Sequence, residues 1–393
     1  MKTNNLYLHA DGDAFFVACE LTLRPELRGK PVVVGADRGI AVAMSPEAKK
    51  IGITRGMPVF QIKKLYPEVV ILSHHFDLYE DIAKRMRQIL SSYFNKIEVY
   101  SIDECFAQVD PSEVKYFGGE KNLLAELKRE IEGTLNVTYS LGLARTKALA
   151  KLASKLEKPG GMVALLAKED EIAALKRTSI DNIWGVGRRT IPRLKRFGLK
   201  TAYDFVNFNL PPSFSRPMFE FQRELQGEEI FGVSFNADPR DQKSIQATRT
   251  FRPASTDQKV IWREIAKNAE RASEHARELR LVSNKVGVFV KTSEFKYKFD
   301  EIKLPMFTSD PGIILDAIEP RFPRLLNKRE KIRSTGVILY NLTREESVPL
   351  DLFGRQDKIL KKRIVEDAAD KIRAKYGQGA IRRAASLANL KRK

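Results

Sequence analysis

Cysteine is nearly missing from this 393-residue chain, which has only Cys19 and Cys105. Two thiols cannot build a disulfide framework or a thiolate metal site. They either pair with each other or, as a reducing cytosol favours, remain buried free thiols. Histidine is scarce at four, and His74-His75 has no cysteine nearby, so no zinc pattern exists. No apolar run reaches the ~18 residues that a membrane helix needs, so no membrane partner is expected. A basic stretch followed by an apolar one is not visible at the N-terminus, and a cytoplasmic location is expected.

Positive charge is what the chain has in excess, at a formal +19. Its placement is uneven. Residues 1–110 hold 14 Lys/Arg and 14 Asp/Glu, whereas the last forty hold 13 basic and 4 acidic side chains. A neutral front and a basic rear suggest that chemistry and polyanion binding are divided along the chain. At 393 residues with 43% hydrophobic and 30% charged residues, a multidomain globular protein is expected.

Two acidic stretches stand out in the neutral front. Leu6-Tyr7-Leu8-His9-Ala10-Asp11 reads as a buried strand ending in a carboxylate. Tyr100-Ser101-Ile102-Asp103-Glu104-Cys105-Phe106 reads as the bend between two short strands. Adjacent like charges repel by roughly 4 kcal/mol at ~4 Å and an effective dielectric of 20. A divalent cation reverses that sign, and hard oxygen ligands suit magnesium. If the two strands share a sheet, Asp11, Asp103 and Glu104 converge on a site suited to in-line phosphoryl displacement.

Helix and strand signals alternate around these stretches. A helix is expected from Ala14, with Phe16 five residues past Asp11. Val32–Val34 and a stretch from Gly39 to Met44 read as strands. Ser45 and Pro46 read as cap and first residue of a short helix carrying Lys49. Helices are expected over 57–66, 77–94 and 121–135, and a strand over Tyr139–Ala144. Lys147, Lys151 and Lys155 then recur along one helix face, which is either solvated or a phosphate grip. Lys158-Pro159-Gly160-Gly161 turns the chain. Further on, Ile183-Trp184-Gly185-Val186-Gly187-Arg188-Arg189 sits between two expected helices, an arrangement that resembles a helix-hairpin-helix. The rear part is expected to place strands at 243–251, 286–292 and 334–340 against helices from Asp257 and Pro311, all on one face.

In this order the motifs resemble the Y-family, or translesion, DNA polymerases. Asp11-Gly12-Asp13-Ala14-Phe15-Phe16, Gly29-Lys30-Pro31-Val32-Val33-Val34, Tyr100–Glu104, Leu141–Lys147, Lys158–Gly161, the turn at Gly185–Gly187 and Lys243-Ser244 carry the resemblance. Asp11–Glu20, Glu47-Ala48-Lys49, 183–189 and Val290–Ser293 are most similar to the UmuC branch, the catalytic subunit of polymerase V. The DinB, or polymerase IV, branch comes second, since it usually has Tyr and Arg where this chain has Pro46 and Lys49.

The resemblance implies an α+β multidomain right hand. Its ferredoxin-like palm would span 1–19 and 77–165, small fingers 20–76, and a helical helix-hairpin-helix thumb 166–233. A linker at 234–242, an α+β little finger at 243–345, and a C-terminal helix and basic tail at 346–393 would follow. It implies two magnesium ions on Asp11, Asp103, Glu104 and the carbonyl of Gly12, with Asp11, Asp103 and Glu104 catalytic. Phe16 would be the sugar gate, and Phe15, Ser45, Lys49 and Lys158 would hold the dNTP triphosphate. Gly185, Gly187, Arg188, Lys243, Ser244 and Arg249 would meet primer-template DNA. Translesion synthesis in the SOS response is implied, with a sliding clamp docking at Leu350–Phe353 and a UmuD-like or recombinase-filament partner. Two other readings stay open: a palm that makes cyclic nucleotides, and a non-catalytic DNA-binding or polymerase-accessory protein with a degenerate palm. The basic rear and the hairpin oppose the first; retention of all three carboxylates opposes the second.

Overall fold

In the computed structural model, residues 5–36, 39–234, 239–327, 329–348, 356–377 and 380–386 are described. The chain forms two compact units, Met1–Asn236 and Ala237–Lys393.

The first unit begins with strand β1 (Leu6–Gly12), which runs into helix α1 (Phe15–Leu23). A small sheet follows, of β2 (Val32–Val34), β3 (Ala43–Met44) and, after helices α2 (Pro46–Lys50) and α3 (Val59–Leu65), β4 (Val70–Leu72). Its strand order is β3-β2-β4, with β4 parallel to β2. The strand expected from Gly39 shortens to Ala43–Met44, because Gly39 closes a tight turn onto the Ala36 carbonyl and Ile40 bridges to Pro58 instead. β4 was not anticipated, since three residues carry no readable period.

Helix α4 (Phe76–Tyr93), strands β5 (Lys96–Val99) and β6 (Glu104–Val109), and helices α5 (Pro111–Tyr116) and α6 (Glu120–Leu135) come next. The unforeseen α5 is started by a capping box between Asp110 and Glu113. Strand β7 (Tyr139–Ala144), helix α7 (Lys147–Leu156) and strand β8 (Met162–Leu165) complete a second sheet of order β5-β6-β1-β7-β8. Alternation gives this sheet two apolar faces. Leu8, Ala10, Cys105, Ala107, Leu141 and Leu143 pack beneath α4 and α6, while Tyr7, Phe106 and Ala144 lie in the cluster that holds α7. Both cysteines are buried free thiols.

Helices α8 (Lys168–Arg177), α9 (Ile191–Arg196), α10 (Ala202–Asn207) and α11 (Arg216–Gln226) extend that second cluster. The helix expected before Gly185 is one 3-10 turn, Ile180–Asn182. Ser179 caps it, and Ile183 is already extended. Glu224 of α11 is buried and accepts the amides of Ala148, Ile230 and Phe231, which secures α11 to α7.

The second unit is a four-stranded antiparallel sheet of order β11-β10-β12-β9. It contains β9 (Ser244–Ser255), helix α12 (Gln258–Glu278), β10 (Leu281–Thr292), β11 (Tyr297–Thr308), helix α13 (Pro311–Ile318), β12 (Ile332–Arg344) and helix α14 (Gln356–Tyr376). Ile245, Val286, Val288, Val290, Ile302, Val337 and Leu339 pack with α12 and α13 on one side, as expected. The single helix expected over 311–325 breaks after Ile318 into a 3-10 turn, Phe322–Leu325. Pro320 and Pro323 have no amides to continue it.

One close approach positions the site described below. A Cβ at Gly142 would stand 2.2 Å from the Ala150 carbonyl oxygen and 2.4 Å from the Ser154 amide, so α7 lies directly on β7. Gly133 in α6 has nothing within 4 Å of its would-be Cβ. Urea denaturation is expected to show Gly142→Ala losing about 1–3 kcal/mol of stability, and Gly133→Ala gaining about 0.4–1 kcal/mol.

Candidate active site

The acidic stretches meet at one end of the five-stranded sheet. β1 and β6 pair antiparallel with Asp11 opposite Glu104, and the Gly12 amide donates to the Asp103 carbonyl at 3.0 Å. Asp11 and Glu104 lie on the α7 face of the sheet, in phase with His9 and Phe106. One ligand atom from each of His9, Asp11 and Glu104 falls within 4.8 Å of the other two. The Ser101 hydroxyl donates to Asp103 Oδ1 at 2.6 Å.

Two lysines balance this charge. Lys158 Nζ lies 2.6 Å from Asp11 Oδ1 and 3.5 Å from Asp13 Oδ1. Lys151 Nζ lies 2.6 Å from Glu104 Oε1. Burial nonetheless pushes the Asp11 carboxyl up to about 6, with Lys158 opposing the shift and Glu104 and Asp103 adding to it. His9 is held neutral, well below the usual histidine range, by burial and then by the surrounding lysines. Oxygen donors predominate, and their charge is met only by ammonium groups, so the residues present fit divalent cations of the hard kind.

Sequence reasoning missed two residues here. Asp13 accepts from the Ser140 hydroxyl at 2.8 Å and the Gly160 amide at 2.8 Å, and so fastens the loop that carries Lys158. His9 bonds through Nδ1 to Ser154 Oγ at 2.7 Å and points Nε2 at Lys151, 3.4 Å away. The Asp-x-Asp spacing and the i−2 position of His9 on a strand were the available signals.

Ala14, where β1 turns into α1, is left-handed at φ 47°, a region uncommon outside glycine. Two cavities flank this turn. One, of ≈ 560 Å³, is lined by Phe16, Val42, Met44, Lys49, Arg55 and Asp103 among others. The other, of ≈ 680 Å³, takes in Ala14, Arg28, Ser45, Lys49 and Lys158. Phe16 stacks on Tyr79 at 4.4 Å and meets the edge of Phe76, and the Tyr79 hydroxyl donates to buried Glu20 at 2.6 Å. Phe15 is different: its ring is 3% exposed, packs in the core with Tyr139, and fills the space over Gly12. Any triphosphate contact there falls to backbone. Ser45, in the lining of the second cavity, also caps α2. Its hydroxyl is buried, accepts the Ala48 and Val32 amides, and donates to the Lys30 carbonyl.

The lysine stripe on α7 is neither a solvated face nor a phosphate grip. Lys147 and Lys151 are buried and paired with Glu98 and Glu104, because α7 is pressed onto the sheet; only Lys155 is exposed. Trp184 packs on Phe106, Tyr100, Phe221 and Phe231, and places the Gly185–Gly187 turn beside them. Gly187 is open around its Cα, and Arg188 and Arg189 are exposed. In the second unit Lys243 and Ser244 are exposed at the start of β9. Exposed Arg249 leans toward α12, with Nε 3.9 Å from Glu264 Oε2. Leu350–Phe353 and the Lys391-Arg392-Lys393 tail lie outside the described residues.

Among the described residues no helix is long and apolar enough to cross a membrane. Residues 10–155 match the impB/mucB/samB family, and 242–352 match the C-terminal domain of that family. DNA polymerase IV of Desulfatibacillum aliphaticivorans is 30% identical over 99% of this chain and 98% of its own. DNA polymerase IV of Clostridium perfringens (strain SM101 / Type A) is 29% identical over 89% of this chain and 98% of its own. Protein ImpB of Salmonella typhimurium is 30% identical over 86% of this chain and 83% of its own. A solved Y-family DNA polymerase chimera shares the fold at a TM-score of 0.73 and 23% identity, covering 86% of this chain and 99% of its own. DinB from Sulfolobus solfataricus does so at 0.55 and 24%, with the same coverage. The relatives named DNA polymerase IV support the DinB branch best, and the expected placing of UmuC first is not confirmed. With both family domains matched in order over well over half its length, the chain belongs to the Y-family of translesion DNA polymerases.

Proposed function

We propose that this DNA-directed DNA polymerase adds dNTPs to a primer 3′-hydroxyl at the sheet end formed by Asp11, Asp103 and Glu104. The observation that carries the assignment is that Asp11 of β1 and Glu104 of β6 bring ligand oxygens together beside His9, with Asp103 next in sequence and tied through its carbonyl to the Gly12 amide. Members of the family use divalent metal ions; we assign two magnesium ions here, with the Gly12 carbonyl as a further ligand. When bound, such ions activate the hydroxyl and stabilise charge on the α-phosphate and the leaving pyrophosphate.

The protein's own groups then divide the remaining work. Lys158 and Lys49, which line one cavity beside the acidic cluster, would meet the triphosphate. Asp13 keeps the Lys158 loop in place through the Gly160 amide and Ser140. Phe16, backed by Tyr79, presents a rigid ring where the ribose 2′-position would sit. The palm is assigned to 1–19 and 77–165, the fingers to 20–76, the thumb to 166–233 and the little finger to 243–345. The thumb turn at Gly185–Gly187 with Arg188 meets DNA backbone without reading sequence, and Lys243, Ser244 and Arg249 do so from the little finger. Solved relatives include an insertion ternary complex of a Dbh DNA polymerase, which agrees with this substrate pair.

Three measurements test the assignment. With primer-template, dNTP and magnesium, Asp103→Ala is expected to slow extension by about 10³-fold or more, with DNA affinity unchanged; wild-type and variant chains that both bind and fail to extend would end it. Phe16→Ala is expected to raise ribonucleotide relative to deoxyribonucleotide insertion by about 10–200-fold, read as the ratio of kcat/KM values. The third is pH. With its carboxyl at about 6, Asp11 is protonated below that value, and that neutral form stabilises the metal-free fold most at low pH and loses this effect as pH rises through 6. Magnesium needs the carboxylate, so its half-saturating concentration is expected to rise up to about tenfold from pH 6 to pH 5 and to be flat above pH 7.

A further inference from the structure

Lys151 takes no part in the assignment above, yet it touches the site. It is 5% exposed, on the helix that Gly142 allows against the sheet. Its ammonium lies 2.6 Å from Glu104 Oε1 and 3.4 Å from His9 Nε2. It also sits 4.6 Å from the Tyr100 ring centre, 5.8 Å from Trp184 and 5.9 Å from Phe106. Ring faces and one carboxylate are what a desolvated ammonium requires. Trp184 closes the box by donating its indole N–H to the Tyr100 hydroxyl at 2.9 Å.

This box joins two parts of the polymerase. Trp184 immediately precedes the Gly185–Gly187 turn. A Cβ on Gly185 would come within 2.3 Å of the Phe221 ring, and Phe221 itself meets Trp184 edge to face. The turn, the rings and the ammonium are therefore fixed to one another. Glu104 is the movable member, with a side chain 18% exposed. Lys151 claims one of its oxygens; the other, Oε2, accepts a long hydrogen bond from the Ser101 hydroxyl at 3.4 Å.

We infer that Lys151 is a positioning residue for Glu104. It holds Oε1, leaves Oε2 as the ligand oxygen, and ties that geometry through Trp184 to the thumb turn. The inference rests on the metal-ligand role proposed for Glu104. It has a consequence that structural damage would not imitate. Removing the ammonium takes a competing positive charge away from the carboxylate, so cations bind more tightly. It also frees the carboxylate to rotate, so insertion slows.

The test compares wild type with Lys151→Met, Lys151→Arg and Tyr100→Leu on primer-template. Mn2+ affinity is read from the electron paramagnetic resonance signal of the free ion, DNA affinity by fluorescence anisotropy, and insertion by single-turnover kinetics. Lys151→Met is expected to bind Mn2+ at least about threefold more tightly and to insert at least about tenfold more slowly, with DNA affinity within about twofold. Lys151→Arg keeps the charge and should recover the wild-type Mn2+ affinity. Tyr100, at the exposed rim of the box, can be changed without opening the core, and Tyr100→Leu should move both quantities the same way by less. Should Lys151→Met fail to fold, Tyr100→Leu decides. Mn2+ affinity and rate that fall together, or either one left at the wild-type value, would overturn the inference while wild type remains active. A wild type that extends no primer would instead overturn the site assignment beneath it.

Discussion

Negative charge gathered at the end of one sheet is the constraint on which the rest of the first unit depends. Asp11, Asp13, Asp103 and Glu104 lie where β1 and β6 end together, and each added carboxylate raises the electrostatic cost of the others. The fold meets this with two ammonium groups delivered from different elements. Lys158 comes on a loop that Asp13 and Ser140 hold by hydrogen bonds. Lys151 comes on a helix brought close by a glycine. The two are not equivalent. Lys158 is 31% exposed in its side chain, whereas Lys151 is 6% exposed and boxed by rings. The more exposed cation agrees with the substrate contact proposed for it, and the boxed one with a frame.

A second support works through aromatic rings and one buried acid. Glu20 is fully buried in α1 and receives Arg24, His75 and the Tyr79 hydroxyl. Breaking such a hydrogen-bonded charge leaves an uncompensated group in the core, at a cost of about 3–5 kcal/mol. Tyr79 is therefore immobile, and Phe16 stacks on it nearly face to face. The sugar-gate role proposed for Phe16 would need a ring that does not give way, and this one is backed by a second ring and, through it, by a carboxylate. Phe15, its neighbour, turns the other way into the core; successive helix positions point in different directions, so two adjacent phenylalanines serve different ends.

Much of the site was legible because it rests on local spacing. A strand ending in Asp11 and a bend carrying Asp103-Glu104 could be read from alternation and composition, whereas their pairing in one sheet was only a condition that the structure meets. Ser45 and Pro46 announced α2 as cap and first residue, and the structure has both in those places. What could not be read depends on contacts far apart in sequence. Lys147, Lys151 and Lys155 look alike on paper, but α7 lies on β7 only because position 142 lacks a side chain, and that contact buries the first two. His9 looked like one more strand residue until Ser154 and Lys151 closed over it. The short elements failed for a simpler reason: β4 and the 3-10 turn at Ile180–Asn182 are three residues each, below the length at which a period exists.

The second unit obeys a different rule, since its charges are not gathered but dispersed into pairs around a sheet. One of them is buried. Arg277, 3% exposed in its side chain, forks onto Asp370 of α14, donates to the Ser309 carbonyl, and lies 3.5 Å from Glu366. Arg383 and Arg363 add ties to Glu366 and Ser309. Among its described side chains, helix α14 is fastened to its own unit by guanidinium forks, and Ile364, Val365 and Tyr376 are left outward. Ionic fastening is geometrically strict but contributes little net stability. It fixes where the helix sits by the direction of its forks.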